Sequence, residues 1–185
     1  MRVIAGSARG RRLKELQGMD TRPTTDKVKE SMFNIIQFEV EGRKVLDLFG
    51  GTGQLGIEAL SRGASHCTFV EMRRDAVTLM RDNLKTTEFT DQSRIVQGDA
   101  LAFLSSCREK FDVILLDPPY HTDLLERCME AIVMFDILSE HGIMVCESPA
   151  ERQLPEMPET YFEVPRSYRY GKIKLTVFRR KGVER

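Results

Sequence analysis

Asp47-Leu48-Phe49-Gly50-Gly51-Thr52-Gly53-Gln54-Leu55-Gly56 is the stretch that decides how this chain folds. With Lys44-Val45-Leu46 before it, the apolar part reads as a strand, and a helical pattern runs from about Gln54 to Arg62. Glycines between a strand and a helix permit a tight turn and leave no Cβ in the way of a ligand. Outward from this unit the alternation repeats. His66 to Glu71 reads as a second strand, and Arg74 to Lys85 carries Val77, Leu79, Met80 and Leu84 at helical spacing. Arg94 to Gln97 is a third strand and Ala100 to Cys107 a short helix. Phe111 to Leu116 is a fourth strand, with the length and β-branched content of a buried one. Leu124 to Val133 places an apolar stripe on a helix, and Gly142 to Glu147 is a fifth strand. The order implies a doubly wound α/β fold, a mainly parallel sheet with helices on both faces.

The two ends read differently. Tyr161 to Tyr170 and Lys172 to Arg179 flank Gly171, an antiparallel hairpin for the sheet edge. At the start, Arg2 to Ala5 and Arg12 to Leu16 suit a small hairpin around Gly6 and Gly10, followed by a helix from about Asp26 to Gln37. With 185 residues, 41% of them hydrophobic, the chain can bury the core of one domain, and a monomer is the expectation. No apolar run approaches the ~20 residues that span a membrane, and Met1 to Gly6 lacks the apolar run of a secretory signal. Cys67, Cys107, Cys128 and Cys146 are far apart, and His66, His121 and His141 show no ligand spacing, so a cytoplasmic, reduced, metal-free protein is expected.

Net charge is zero, but it is unevenly placed. Residues 1–29 carry eight Lys or Arg against three Asp or Glu, and residues 166–185 carry eight against one. The body between them is acidic. Basic ends on an acidic body point to a polyanionic partner, most simply nucleic acid.

Two motifs carry the chemistry. Gly51-x-Gly53-x-x-Gly56, with Glu71 twenty residues after Gly51, matches the dinucleotide fingerprint, so NAD is one reading. Asp47 before the glycines and Asp99 in Gln97-Gly98-Asp99-Ala100 favour another. Acids around one crevice repel a pyrophosphate and attract the amino and sulfonium groups of S-adenosylmethionine. Glu71 would accept from ribose hydroxyls in either case. The loop residues Phe49, Gly50, Gly51, Thr52 and Gly53, together with Met72 and Ala100 beside the acids, complete this cofactor set. The second motif, Asp117-Pro118-Pro119-Tyr120, closes the fourth strand. A carboxylate and the Pro118 carbonyl side by side suit an NH2 group, and Tyr120 suits the face of a base. A strand-ending turn is the competing reading of these four residues.

These parts together resemble a class I S-adenosylmethionine-dependent methyltransferase of nucleobase amines. Arg2-Val3-Ile4-Ala5-Gly6, Gly10-Arg11-Arg12-Leu13, Thr21-Arg22-Pro23-Thr24-Thr25-Asp26-Lys27-Val28-Lys29-Glu30 and Leu60-Ser61-Arg62-Gly63-Ala64 further resemble RsmD, the bacterial 16S ribosomal RNA guanine-N2 methyltransferases. The resemblance implies residues 1–20 as a β extension contacting RNA and 21–185 as the methyltransferase domain. It implies Arg22, Thr24 and Thr25 as cofactor or active-site contacts, Asp117, Pro118 and Tyr120 as the catalytic group, and a small-subunit particle as partner. Arg9, Arg11, Arg12 and Lys14, with Arg166, Arg169, Lys172 and Lys174, are the candidates for RNA phosphate contacts. An adenine-N6 methyltransferase and a noncatalytic nucleic-acid-binding protein of the same fold remain the alternatives.

Overall fold

The computed structural model describes residues 1–17 and 24–183. The elements run α1 (Asp26–Ile35), β1 (Lys44–Asp47), α2 (Gln54–Ser61), β2 (His66–Glu71), α3 (Arg74–Thr87), β3 (Ser93–Gln97) and α4 (Ala100–Ser106). Then come β4 (Phe111–Leu116), α5 (Leu124–Met134), β5 (Leu138–Pro149), β6 (Arg166–Tyr170) and β7 (Ile173–Arg179). The seven strands form one sheet in the order β3-β2-β1-β4-β5-β7-β6. The five strands β3 to β5 are parallel to their neighbours, and β7 runs antiparallel to both β5 and β6. This is the doubly wound, Rossmann-like arrangement that the sequence implies, with an antiparallel edge hairpin.

Both faces of the sheet are covered. Val28, Met32 and Phe33 of α1, Leu55 and Ile57 of α2, and Met80 and Leu84 of α3 pack with Val45, Val113 and Val145 in one apolar cluster. Leu104 of α4 and Leu125, Cys128 and Ile132 of α5 pack with Leu46, Ile114 and Met144 in the other. Alternate residues of each strand serve opposite faces, so the strands are apolar throughout, as expected of a buried parallel sheet.

The boundaries differ from the sequence reading in three places. The first strand of the edge hairpin starts at Arg166 rather than Tyr161, Phe162 making only a bridge to Arg180. The fifth strand begins at Leu138, which pairs with Phe111; the register then shifts before Val113 pairs with Ile143. Within this irregular stretch His141 takes a left-handed backbone (φ 59°). That interruption hides the early part of the strand from a search for apolar alternation. The N-terminal hairpin is reduced to one antiparallel bridge, Arg2 with Arg12. Its anchor is the protein body. The Ile4 and Ala5 amides donate to the buried Glu58 carboxylate at 2.9 and 3.1 Å, and the Ser7 amide donates to the Ser61 carbonyl at 2.8 Å. Gly6 lies so close that a Cβ there would sit 1.8 Å from the Ser61 carbonyl oxygen.

Candidate active site

The site stands on the carboxyl edge of the parallel strands. β1 ends at Asp47, β2 at Glu71, and Asp99 follows β3 by two residues. Asp117 follows β4, and Glu147 lies near the end of β5. Because the sheet order is β3-β2-β1-β4-β5, these five acids line up as Asp99, Glu71, Asp47, Asp117, Glu147. The strand order reverses between β1 and β4, where the crevice of such a fold takes its ligand.

Asp47 lies deepest. It is buried, its Oδ2 accepts the Gly56 amide at 3.0 Å, and its Oδ1 has no hydrogen-bond partner among the described residues. Burial pushes its carboxyl up to about 7, the Gly56 bond pulling the other way and the Glu71 charge adding to the rise. The loop above it is built by glycines in left-handed conformations, Gly51 (φ 56°) and Gly53 (φ 91°). Gly56 admits the helix to the sheet: a Cβ there would lie 2.2 Å from the Phe69 ring. Phe49 and Thr52 are half-buried in this loop, and Gly50 is buried, its amide donating to the Val70 carbonyl at 2.9 Å.

Glu71 holds the loop from the side. Its Oε2 accepts the Gly51 amide at 2.8 Å and its Oε1 the Arg73 amide at 2.9 Å. A carboxylate oxygen has two lone-pair positions, so these bonds leave acceptor capacity for a ligand. Met72 beside it is exposed. Asp99 caps α4, its Oδ1 accepting the Ala102 amide at 2.9 Å, and the next residue, Ala100, is buried.

The Asp-Pro-Pro-Tyr segment joins the chain before α1. The buried Thr24 hydroxyl lies 2.8 Å from Asp117 Oδ2 and 3.2 Å from Glu147 Oε2, and the Tyr120 hydroxyl donates to Glu147 Oε1 at 2.8 Å. Burial, and then the Glu147 charge, push the Asp117 carboxyl well above the usual carboxylate range. Pro118 is buried and Tyr120 half-buried, its carbonyl held by an Arg152 guanidinium N–H at 2.8 Å.

Thr24 therefore joins the site through a direct bond. Thr25 is an exposed N-cap whose hydroxyl accepts the Val28 amide at 3.3 Å, a role in building α1. Arg22 lies outside the described residues. Two site residues were not singled out from the sequence. Glu147 follows four apolar residues within the fifth strand, and only the strand register places it beside Asp117. Asn83, buried on α3, donates from Nδ2 to the carbonyls of Thr52 (2.9 Å) and Lys14 (3.1 Å), and its Oδ1 accepts the Lys14 amide at 2.8 Å.

The basic residues fall in two groups. Arg9, Arg11, Arg12 and Lys14 belong to the N-terminal arm, where Lys14 pairs with Asp82 of α3 (2.9 Å) and Arg11 with Glu88 at its C-terminal cap (3.0 Å). Arg166, Arg169, Lys172 and Lys174 lie on the edge hairpin, where Arg169 pairs with Glu151 (2.8 Å) and Lys174 reaches the Arg152 carbonyl. Arg9, Arg12, Arg166 and Lys172 are exposed.

The family described as "Conserved hypothetical protein 95" matches residues 1–179. "Putative rRNA methyltransferase YlbH" of Bacillus subtilis is 42% identical over 185 residues, 98% of this chain and 100% of that one. "Ribosomal RNA small subunit methyltransferase D" of Escherichia coli K12 is 32% identical over 182 residues, 98% of this chain and 91% of its own. The chain belongs to the RsmD family. Its fold follows that of a solved relative, "Putative methyltransferase yhhF" of Escherichia coli, at a TM-score of 0.88 and 32% identity, with 99% of each chain covered. The family match thus extends over the N-terminal arm, the parallel sheet and the whole edge hairpin.

Proposed function

We propose that this protein transfers a methyl group from S-adenosylmethionine to the exocyclic N2 amine of a guanine in 16S ribosomal RNA, within a small-subunit particle. The observation that carries the reading is the row of acids, one at each parallel strand, around the glycine loop and beside Asp-Pro-Pro-Tyr.

The residues present fit a cationic cofactor. Asp47 is a buried carboxyl with an unpartnered oxygen, and its pKa of about 7 lets a nearby positive charge ionise it. Gly51 leaves open space where a Cβ would stand. Glu71 would accept from the ribose, Asp99 and Met72 would flank the adenine, and Phe49, Gly50, Thr52, Gly53 and Ala100 would wall the cleft. Arg22 and Thr25 remain candidates for contacts at its rim. S-adenosylmethionine supplies an electrophilic methyl group on a sulfonium sulfur.

The chain's own contribution is orientation and charge. A guanine N2 amine is a poor nucleophile because its lone pair is delocalised into the ring. Asp117 and the Pro118 carbonyl would accept its two N–H bonds and draw the nitrogen towards tetrahedral geometry. Positive charge grows on that nitrogen as the reaction proceeds, so both acceptors stabilise the transition state more than the ground state. Tyr120 would stack on the base, an interaction of about 1–3 kcal/mol. Arg9, Arg11, Arg12 and Lys14, with the four hairpin cations, would hold phosphates. Those paired with Asp82, Glu88 and Glu151 would exchange an internal partner for an RNA one. The protein would act as a monomer in the cytoplasm; among the described residues no helix is long and apolar enough to cross a membrane.

The test is methyl transfer from labelled cofactor to small subunits lacking the modification. Label recovered as N2-methylguanine supports the reading, and label recovered in adenine or only in DNA overturns it. Asp117→Ala should abolish turnover with cofactor binding intact by calorimetry. Loss of both would mean that Asp117 serves the cofactor instead.

A further inference from the structure

Glu147 is sealed in the cleft, 2% exposed and matched there by Asp47, while Asp117 beside it is only partly covered. Register explains the neighbourhood. Leu116 of β4 pairs with Cys146 of β5, so the next residues, Asp117 and Glu147, stand side by side at the same edge. The Thr24 hydroxyl lies within hydrogen-bond distance of both carboxyls, and the Tyr120 hydroxyl donates to Glu147. Two of the three groups assigned above to the target base thus meet one buried carboxyl, Asp117 as its neighbour and Tyr120 by a direct bond. A carboxyl is costly to bury, and nothing in the packing of β5 calls for one where its other buried residues are mostly apolar.

Building on the methyl-transfer reading above, we propose that Glu147 is a positioning residue. It aims Asp117 and Tyr120 at the target amine, and it forms with Asp117 the carboxyl pair that takes the proton the methylated amine loses. Two like charges this close hold one proton between them. Among the described residues, Asp117 faces Glu147 on β5 and Asp47 on β1, whose charges both raise it, while the Thr24 hydroxyl bond lowers it. The pair therefore enters the reaction singly charged. Once the nitrogen carries its methyl group, an N–H bond of the aminium breaks and its electrons stay on nitrogen. The proton forms an O–H bond at the Asp117 carboxyl, leaving the pair neutral. Loss of that proton to water restores the pair. Asp117, the more exposed member, meets the amine, and Glu147 keeps the shared proton in place.

Titration of the Asp117 carboxyl, followed by carbon-13 NMR in the ligand-free protein, tests this directly. Glu147→Gln should bring the Asp117 titration down by at least about one pH unit, a tenfold change in proton affinity. Thr24→Val should move it up, because a donor to the charged form is removed. In turnover, Glu147→Gln should lower kcat tenfold or more, leave cofactor affinity unchanged and carry the acid limb of kcat/KM downward with the NMR titration. Glu147→Asp, which keeps the charge, should restore the titration in part. An Asp117 titration that ignores Glu147→Gln overturns the inference, whatever Thr24→Val does. The two proposals fail separately. A wild-type protein that never labels guanine N2 sinks the proposed function, whereas a guanine methyltransferase with an Asp117 indifferent to Glu147 sinks only this one.

Discussion

Asp47 shows how far burial reshapes a single group. Its carboxyl is pushed up to about 7 in the folded protein, against about 3.9 in an unfolded chain. Between those values the native state binds the extra proton, so Asp47 makes stability fall as pH rises from about 4 to about 7. An asparagine does not titrate. Urea unfolding at several pH values should therefore show wild type losing stability relative to Asp47→Asn across this window, by on the order of a few kcal/mol in total. Equal pH dependence would mean that Asp47 is already ionised when folded. A cationic ligand reverses the balance, so cofactor binding near pH 7 should release part of a proton, visible calorimetrically in buffers of different ionisation heat. Asp47, Glu71, Asp99 and Asp117 were legible in the sequence because each acid ends or closely follows an apolar run. Glu147 ends one too, yet its meaning depends on which strand lies beside it and in what register, and hydrophobic period carries neither.

At the scale of elements, the N-terminal arm is held by side chains of three helices. Glu58 of α2 is fully buried and accepts the Ile4 and Ala5 amides and Arg62 Nε (3.0 Å), with the buried Lys29 ammonium of α1 at 3.8 Å. Lys29 in turn donates to the Arg2 carbonyl at 2.7 Å, and burial holds its pKa below the ordinary lysine value. Removing one partner of such a network leaves uncompensated buried charge. Glu58→Ala should cost about 3–5 kcal/mol, read by chemical denaturation. Asn83 does a similar job on α3, fastening Lys14 of the arm to Thr52 of the glycine loop. Asn83→Ala strands those backbone groups, at about 1–3 kcal/mol, and should also weaken cofactor binding, because Thr52 loses its restraint. The helices and the parallel strands were readable because their apolar periods are clean. The arm was legible as a hairpin, which survives as the Arg2–Arg12 bridge and the backbone bonds beside it, but its docking was not, since that rests on polar contacts to residues more than fifty positions away.

For the whole molecule, charge and sheet topology divide the work. Acids gather at the carboxyl edge of the parallel strands, while the cations at the two chain ends sit on the N-terminal arm and on the outer hairpin. A polyanion bound by both groups would span the site between them. Replacing Arg9, Arg12, Arg166 and Lys172 by glutamine should weaken RNA binding with little effect on stability. The slope of log affinity against log salt should fall, by up to about 0.7–0.9 for each phosphate no longer neutralised. An unchanged slope would place the RNA elsewhere.

The sheet topology also bears on the order of assembly. β7 is the last strand in sequence among the described residues, yet it lies between β5 and β6, and among those residues β6 has no sheet partner but β7. Until residues 173–179 dock, β5 is an open strand edge and β6 has nothing to pair with. The site-bearing part of the sheet can therefore pair before they do, but its exposed β5 edge invites pairing with other chains until the final hairpin docks. A chain cut short before residue 173 would carry the acids of the cleft with an adhesive edge beside them.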